Sequence, residues 1–184
     1  MNPIAQALSS PFVLEIFVFA LLMAVLVLGL IRTGRADRLA GWLTLTGLIG
    51  IFASSWWAAP GESALGGSFQ VDELALFAKR LFLASAALSV LAGLGLSARA
   101  LTRRSTEYHV ALLASLLGML VLASARDLIL LFVAFELMSI PLYFLTGFLK
   151  DQDAAPEGAL KFFVVGSVSS AVILYGISFV YGAT

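Results

Sequence analysis

Cysteine is missing from this 184-residue chain, and histidine occurs once, at His109. Disulfides, iron–sulfur clusters and thiolate zinc sites are therefore excluded within it, and an all-protein metal site has little to build on. Charge is scarce as well: 11 Lys and Arg balance 11 Asp and Glu, together 12% of residues. The basic residues are scattered, so no basic stripe exists to neutralise nucleic-acid phosphates, and nucleic acid is excluded as a partner. No basic residue precedes the first apolar run, so the start MNPIAQALSS does not read as a cleavable signal peptide. No internal repeat or low-complexity tract stands out.

What is abundant is apolar surface. Hydrophobic residues make up 61% of the chain and the mean hydropathy is +1.03, more than a soluble fold of this size can hide. Lipid offers the backbone no hydrogen bonds and a bilayer core of about 30 Å needs roughly 20 helical residues, so the expectation is an all-α membrane protein. Six transmembrane helices are predicted, over Phe12–Ile31, Leu39–Ala58, Glu73–Ser97, Thr106–Ala125, Asp127–Leu149 and Glu157–Tyr181. The fourth has the shortest purely apolar part, from Val110 to Ala125. A cap at Ser105 or Thr106, with Glu107 in the first turn, extends it to full length.

Arginines fall on alternate connections. Arg32, Arg35 and Arg38, then Arg99, Arg103 and Arg104, then Lys150 mark one side, which the positive-inside rule makes cytoplasmic. Both termini of the segment are then expected outside. Trp56 and Trp57 read as an interfacial aromatic belt, and Pro60 to Ser68 as an exposed turn region. Val71 to Arg80 is amphipathic enough to lie partly along the interface, with Lys79 snorkelling outward. Glu15 suits the first turn of a helix, and His109 falls at the cytoplasmic interface.

One charge breaks this pattern. Glu136 lies near the middle of the fifth span, where an acid costs about 2.5–3.5 kcal/mol on insertion scales and faces a bundle interior or a water-filled cavity. At 100° per residue, Tyr143, Gly147 and Lys150 lie within about 40° of it, a polar stripe running to the cytoplasmic end. Pro141 lacks the amide that would bond the Leu137 carbonyl, so a kink or loosening is expected just after Glu136. The sixth span opens with Glu157 and Lys161 at i, i+4, followed by twenty uncharged residues. Gly158, Gly166, Ser169 and Gly176 supply a small-residue packing face. Burial and neighbouring charge can tune such an acid and amine to exchange a proton. Glu136 and Lys161 are roughly 14 Å apart along the membrane normal, however, so a linking group or water is required. The closest midplane partner of Glu136 is expected outside this sequence.

SARDLILLFVAFELMSIPLYFLTGF followed by EGALKFFVVGSVSSAVILYGISFVYGAT closely resembles the subunit N family of the proton-pumping NADH:quinone oxidoreductase, respiratory complex I. The likeness is strong over residues 105 to 184 and weaker over EIF and VDELALFAKRLFL. The two strings together are highly specific, whereas either alone also admits other antiporter-like subunits. The resemblance implies an antiporter-like proton-channel fold with inverted repeats, of which this segment carries an amino-terminal part of three helices, 1–104, and the start of the first repeat, 105–184. It implies that Glu136 is the fifth-helix glutamate that sets the protonation of a lysine on a broken helix, a helix that lies beyond these residues. Glu157 and Lys161 match the acid and lysine that open the sixth helix, and Tyr143 is a further candidate for the proton path. It also implies no cofactor in this chain: NADH, FMN, iron–sulfur clusters and quinone belong to partner subunits. Its other implications are neighbouring membrane subunits as partners and a bacterial inner-membrane location. A Mrp-type Na+/H+ antiporter subunit and a non-transporting scaffold are the alternatives.

Overall fold

The computed structural model describes residues 10–30, 36–61, 63–95, 105–149 and 154–183. Among the described residues six helices carry the fold: α1 (Val13–Leu30), α2 (Ala36–Ser54), α3 (Glu73–Gly95), α4 (Ser105–Ser124), α5 (Leu128–Thr146) and α6 (Ala154–Ala183). All but α2 are long and apolar enough to cross a membrane; the apolar run of α2, Leu39–Ser54, is shorter. The span with the shortest apolar part, α4, is a full helix. Arg32, Arg35, Arg99, Arg103, Arg104, Lys150 and the side chain of Arg38, on which the orientation rests, lie outside the described residues.

α4 is the hub, packed against α1, α2, α3 and α5, whereas α6 packs on α5. The interior of the first four helices is largely aliphatic, built around Val18, Val25, Leu48, Leu83, Leu113 and Leu120, all fully buried. Small residues allow the close approaches. A Cβ on Gly47 would lie 2.6 Å from Leu21 of α1. At Gly118 it would lie 2.7 Å from Cα of Met138, so the α4 and α5 backbones abut there. Ser115, one turn earlier, donates to the Met138 carbonyl at 3.0 Å. α5 runs unbroken through Pro141.

The connection from α2 to α3, expected as an exposed turn region, is a small hairpin folded onto one end of the bundle. β1 (Ser63–Ala64) pairs antiparallel with β2 (Phe69–Gln70). Gly66 and Gly67 turn the chain at φ +66° and +96°, values that glycine adopts without the penalty of a Cβ. Phe69 is fully buried, bridges to Ala125 and lies 4.4 Å from the ring of Phe12. The Arg126 amide donates to the Ser68 carbonyl at 2.8 Å, and its guanidinium pairs with Asp72 at 2.7 Å. Asp72 Oδ1 also accepts from the Ala75 amide, 2.7 Å, and so caps α3.

Candidate functional site

The stripe predicted on α5 is the seam that α6 covers. Glu136, half-buried midway along α5, accepts a hydrogen bond from the hydroxyl of Ser170 on α6. Tyr143, two turns further along α5, lays its phenol on Gly166, where a Cβ would lie 2.6 Å from Cζ of the ring. The ring sits edge-on to Phe162 and Phe163, at centroid distances of 4.9 and 5.7 Å. Gly147 faces Ala159, 2.9 Å from where its own Cβ would be. Near the hairpin end, the Tyr181 hydroxyl of α6 donates to Asp127 at 2.9 Å. Asp127 also caps α5, accepting from the amides of Ile129 (2.7 Å) and Leu130 (3.3 Å).

Lys161 donates to Glu157 at 2.6 Å, and their side chains are 73% and 65% exposed. Lys161 precedes Ser170 by nine positions, which at 1.5 Å rise puts its backbone about 14 Å along the seam from the level of Glu136. The structure thus brings Glu136 and Tyr143 onto one seam and leaves Glu157 and Lys161 as a separate pair at its far end. Of the predicted small-residue face, Gly166 is used, whereas a Cβ on Gly158 or Gly176 would meet nothing within 4 Å. Ser170 corrects the expectation that the midplane partner of Glu136 lies outside this sequence. The signal for it was Gly166–x3–Ser170, two small residues one turn apart on a single helix face.

A second correction concerns Lys79. It does not snorkel: its side chain is 1% exposed and pairs at 2.7 Å with Glu15, itself 7% exposed, inside the first four helices. Lys79 Nζ also sits 5.0 Å from the centroid of the buried Phe69 ring. The next residue, Arg80, donates to the Ser55 carbonyl at 3.0 Å and stacks on Trp56 at 4.5 Å. Of the segment Val71 to Arg80, one face (Val71, Ala75, Leu76 and Lys79) is buried on the bundle, while Leu74 and Phe77 point outward. His109 is buried too, with its ring against Gly41 of α2 and Nδ1 donating to the Ser105 carbonyl at 2.6 Å. Among the described residues no three His, Asp or Glu side chains converge as a metal site would require.

Residues 125–184, which hold the whole α5–α6 seam, match the family described as NADH:quinone oxidoreductase/Mrp antiporter, TM. NADH-quinone oxidoreductase subunit N 2 of Chloroherpeton thalassium is 36% identical over 180 residues, covering 96% of this chain and 35% of that protein. F(420)H(2) dehydrogenase subunit N of Methanosarcina mazei is 44% identical over 117 residues, 64% of this chain and 23% of that one. Among solved structures, a chain of respiratory complex I from Thermus thermophilus with bound aureothin superposes with a TM-score of 0.76 at 31% identity. That match covers 93% of this chain and 37% of the solved one. Residues 125–184 thus carry the pattern of this membrane family, and the likeness to the subunit N relative and to the solved chain runs over most of the rest. The chain spans about a third of the length of the two full-coverage matches. The antiporter-like fold expected from the α5 and α6 strings is the fold observed.

Proposed function

We propose that this segment helps move protons across the membrane as part of a subunit N-type protein of an NADH:quinone oxidoreductase. The observation that carries the reading is the Glu136 carboxyl, held midway along an apolar helix by a hydroxyl from α6. An ionisable group at that depth, kept from lipid by a neighbouring helix, is what a proton relay needs. Tyr143 lies between Glu136 and the Glu157–Lys161 pair, and its hydroxyl can both donate and accept a proton. Residues 105–184 would supply the relay, and residues 1–104 would brace it.

In this reading the hairpin end faces the outer side of a bacterial plasma membrane and the Lys161 end faces the cytoplasm. NADH, FMN, iron–sulfur clusters and quinone act in partner subunits, and this chain carries no electron. Neighbouring membrane subunits and lipid cover the apolar faces of the helices. Moving one proton against 100 mV requires about 2.3 kcal/mol, within reach of modest changes in the environment of buried charge.

The test is Glu136→Gln in the complete enzyme. Assembly and NADH-dependent quinone reduction persist, while proton pumping into inverted membrane vesicles falls sharply. A normal proton-to-electron ratio in that variant would overturn the proposal and leave the scaffold reading. The matching family also includes Mrp antiporters. Sodium- or proton-gradient-driven exchange by vesicles without any electron donor would favour that second reading.

A further inference from the structure

We infer that Ser170 is a positioning residue for Glu136: its hydroxyl fixes the carboxyl in one orientation on the α5–α6 seam. The inference rests on the proton-transfer role proposed above for Glu136.

Ser170 stands apart in two ways. Among the described residues of α6 it is the buried one, 8% exposed, on a helix whose other side chains are half-buried or exposed. Its hydroxyl also takes an unusual partner. Neighbouring hydroxyls on these two helices return to their own backbone: Ser169 to Val165 (2.9 Å), Ser178 to Tyr175 (2.6 Å), Ser139 to Phe135 (2.7 Å) and Thr146 to Leu142 (2.9 Å). That is the ordinary resting place of Ser and Thr in an apolar helix, where the i−3 and i−4 carbonyls are within reach. Ser170 instead crosses to the next helix and donates to Glu136 Oε1.

The contact is held from both sides. Towards the hairpin end, Tyr181 bonds Asp127; towards the other end, Tyr143 lies on Gly166 and Gly147 on Ala159. These contacts fix the antiparallel register of α5 and α6, so the hydroxyl is delivered to one place. A hydroxyl has one proton to donate and two lone pairs, so Ser170 can hold the carboxylate through its donated proton and still accept from a second donor. A hydrogen bond donated to a carboxylate is short-ranged and directional, so losing it frees the carboxyl to turn away from the seam.

The test compares Ser170→Thr with Ser170→Val, which are nearly isosteric and differ by hydroxyl against methyl, alongside Ser170→Ala, in the complete enzyme. In inverted vesicles NADH-driven pumping falls about five- to tenfold in the Val and Ala variants, while the Thr variant follows the unmodified protein. Infrared difference spectra of the purified enzyme carry the second readout. The protonated-carboxyl C=O band of Glu136, identified by its loss in Glu136→Gln, shifts in Val and Ala and stays in Thr. A purely packing role would treat Thr and Val alike. An unmoved band in Ser170→Val overturns the inference whatever pumping does. Normal pumping by Glu136→Gln, together with a band that responds to Ser170→Val, refutes the proton-transfer reading while leaving the hydrogen-bonded placement intact.

Discussion

Lys79 and Glu15 form an ion pair at 2.7 Å with side chains 1% and 7% exposed, and replacing either partner alone strands the other. Lys79→Met leaves a carboxylate in an aliphatic interior; Glu15→Leu leaves an ammonium there. Breaking a buried pair from one side costs about 3–5 kcal/mol, because the remaining charge must be neutralised or rehydrated. Replacing both with apolar groups of similar volume removes both desolvation penalties together, and the cost falls to near zero. Phe69 contributes a cation–π contact to Lys79, so Phe69→Leu loses about 1–2 kcal/mol on that account, in addition to packing. The assay is equilibrium unfolding of the purified full-length protein in lipid nanodiscs of fixed composition, for both single variants and the double. The double variant is expected to be more stable than either single. A double whose loss equals the sum of the singles, or a Lys79→Met variant as stable as the unmodified protein, refutes the reasoning, since a lysine reaching water would behave that way.

Three further outcomes follow from the same geometry. Gly118→Ala brings a methyl against the backbone of Met138 and costs about 1–3 kcal/mol, read as a lowered thermal midpoint, unless α4 and α5 separate. Lys161→Met breaks an exposed i, i+4 pair and changes stability by less than about 0.5 kcal/mol, so any loss of pumping in that variant reports function and not folding. The Tyr181 hydroxyl first, and then the Ile129 and Leu130 amides, hold the Asp127 carboxyl below the ordinary carboxylate range. A depressed folded value gives stability that is present above the unfolded titration and is lost as pH falls through the folded one. The difference in thermal midpoint between the unmodified protein and Tyr181→Phe therefore holds at neutral pH and narrows in acid, below about pH 4.

The helices were legible because hydropathy alone fixes where a chain can cross lipid, and each of the six falls within a few residues of its expected span. Glu136 was legible for the same reason, as a charge in a place where charge is costly. Its stripe with Tyr143 and Gly147 was correct in direction, but periodicity on one helix cannot say which neighbour covers it. Ser170 was overlooked because one step along a helix turns the side chain by 100°, and Ser169, its neighbour, fitted the chosen face. Glu15 and Lys79 were each given a local explanation, a helix dipole and a snorkelling tail, although both lie near the same end of their helices. Pairing them requires knowing that α1 and α3 share one interior through α4. The hairpin was hidden because its strands are two residues each, and the burial of Phe69 depends on Phe12 and Ala125.

The abutting backbones at Gly118 have a mechanical consequence. Met138 presses on α4, and Glu136, two residues earlier, points about 200° around the helix from it, close to the opposite side. At this level α5 is held on both sides: the α4 backbone stops it behind, and α6, through Ser170 and Gly166, meets it in front of the acid.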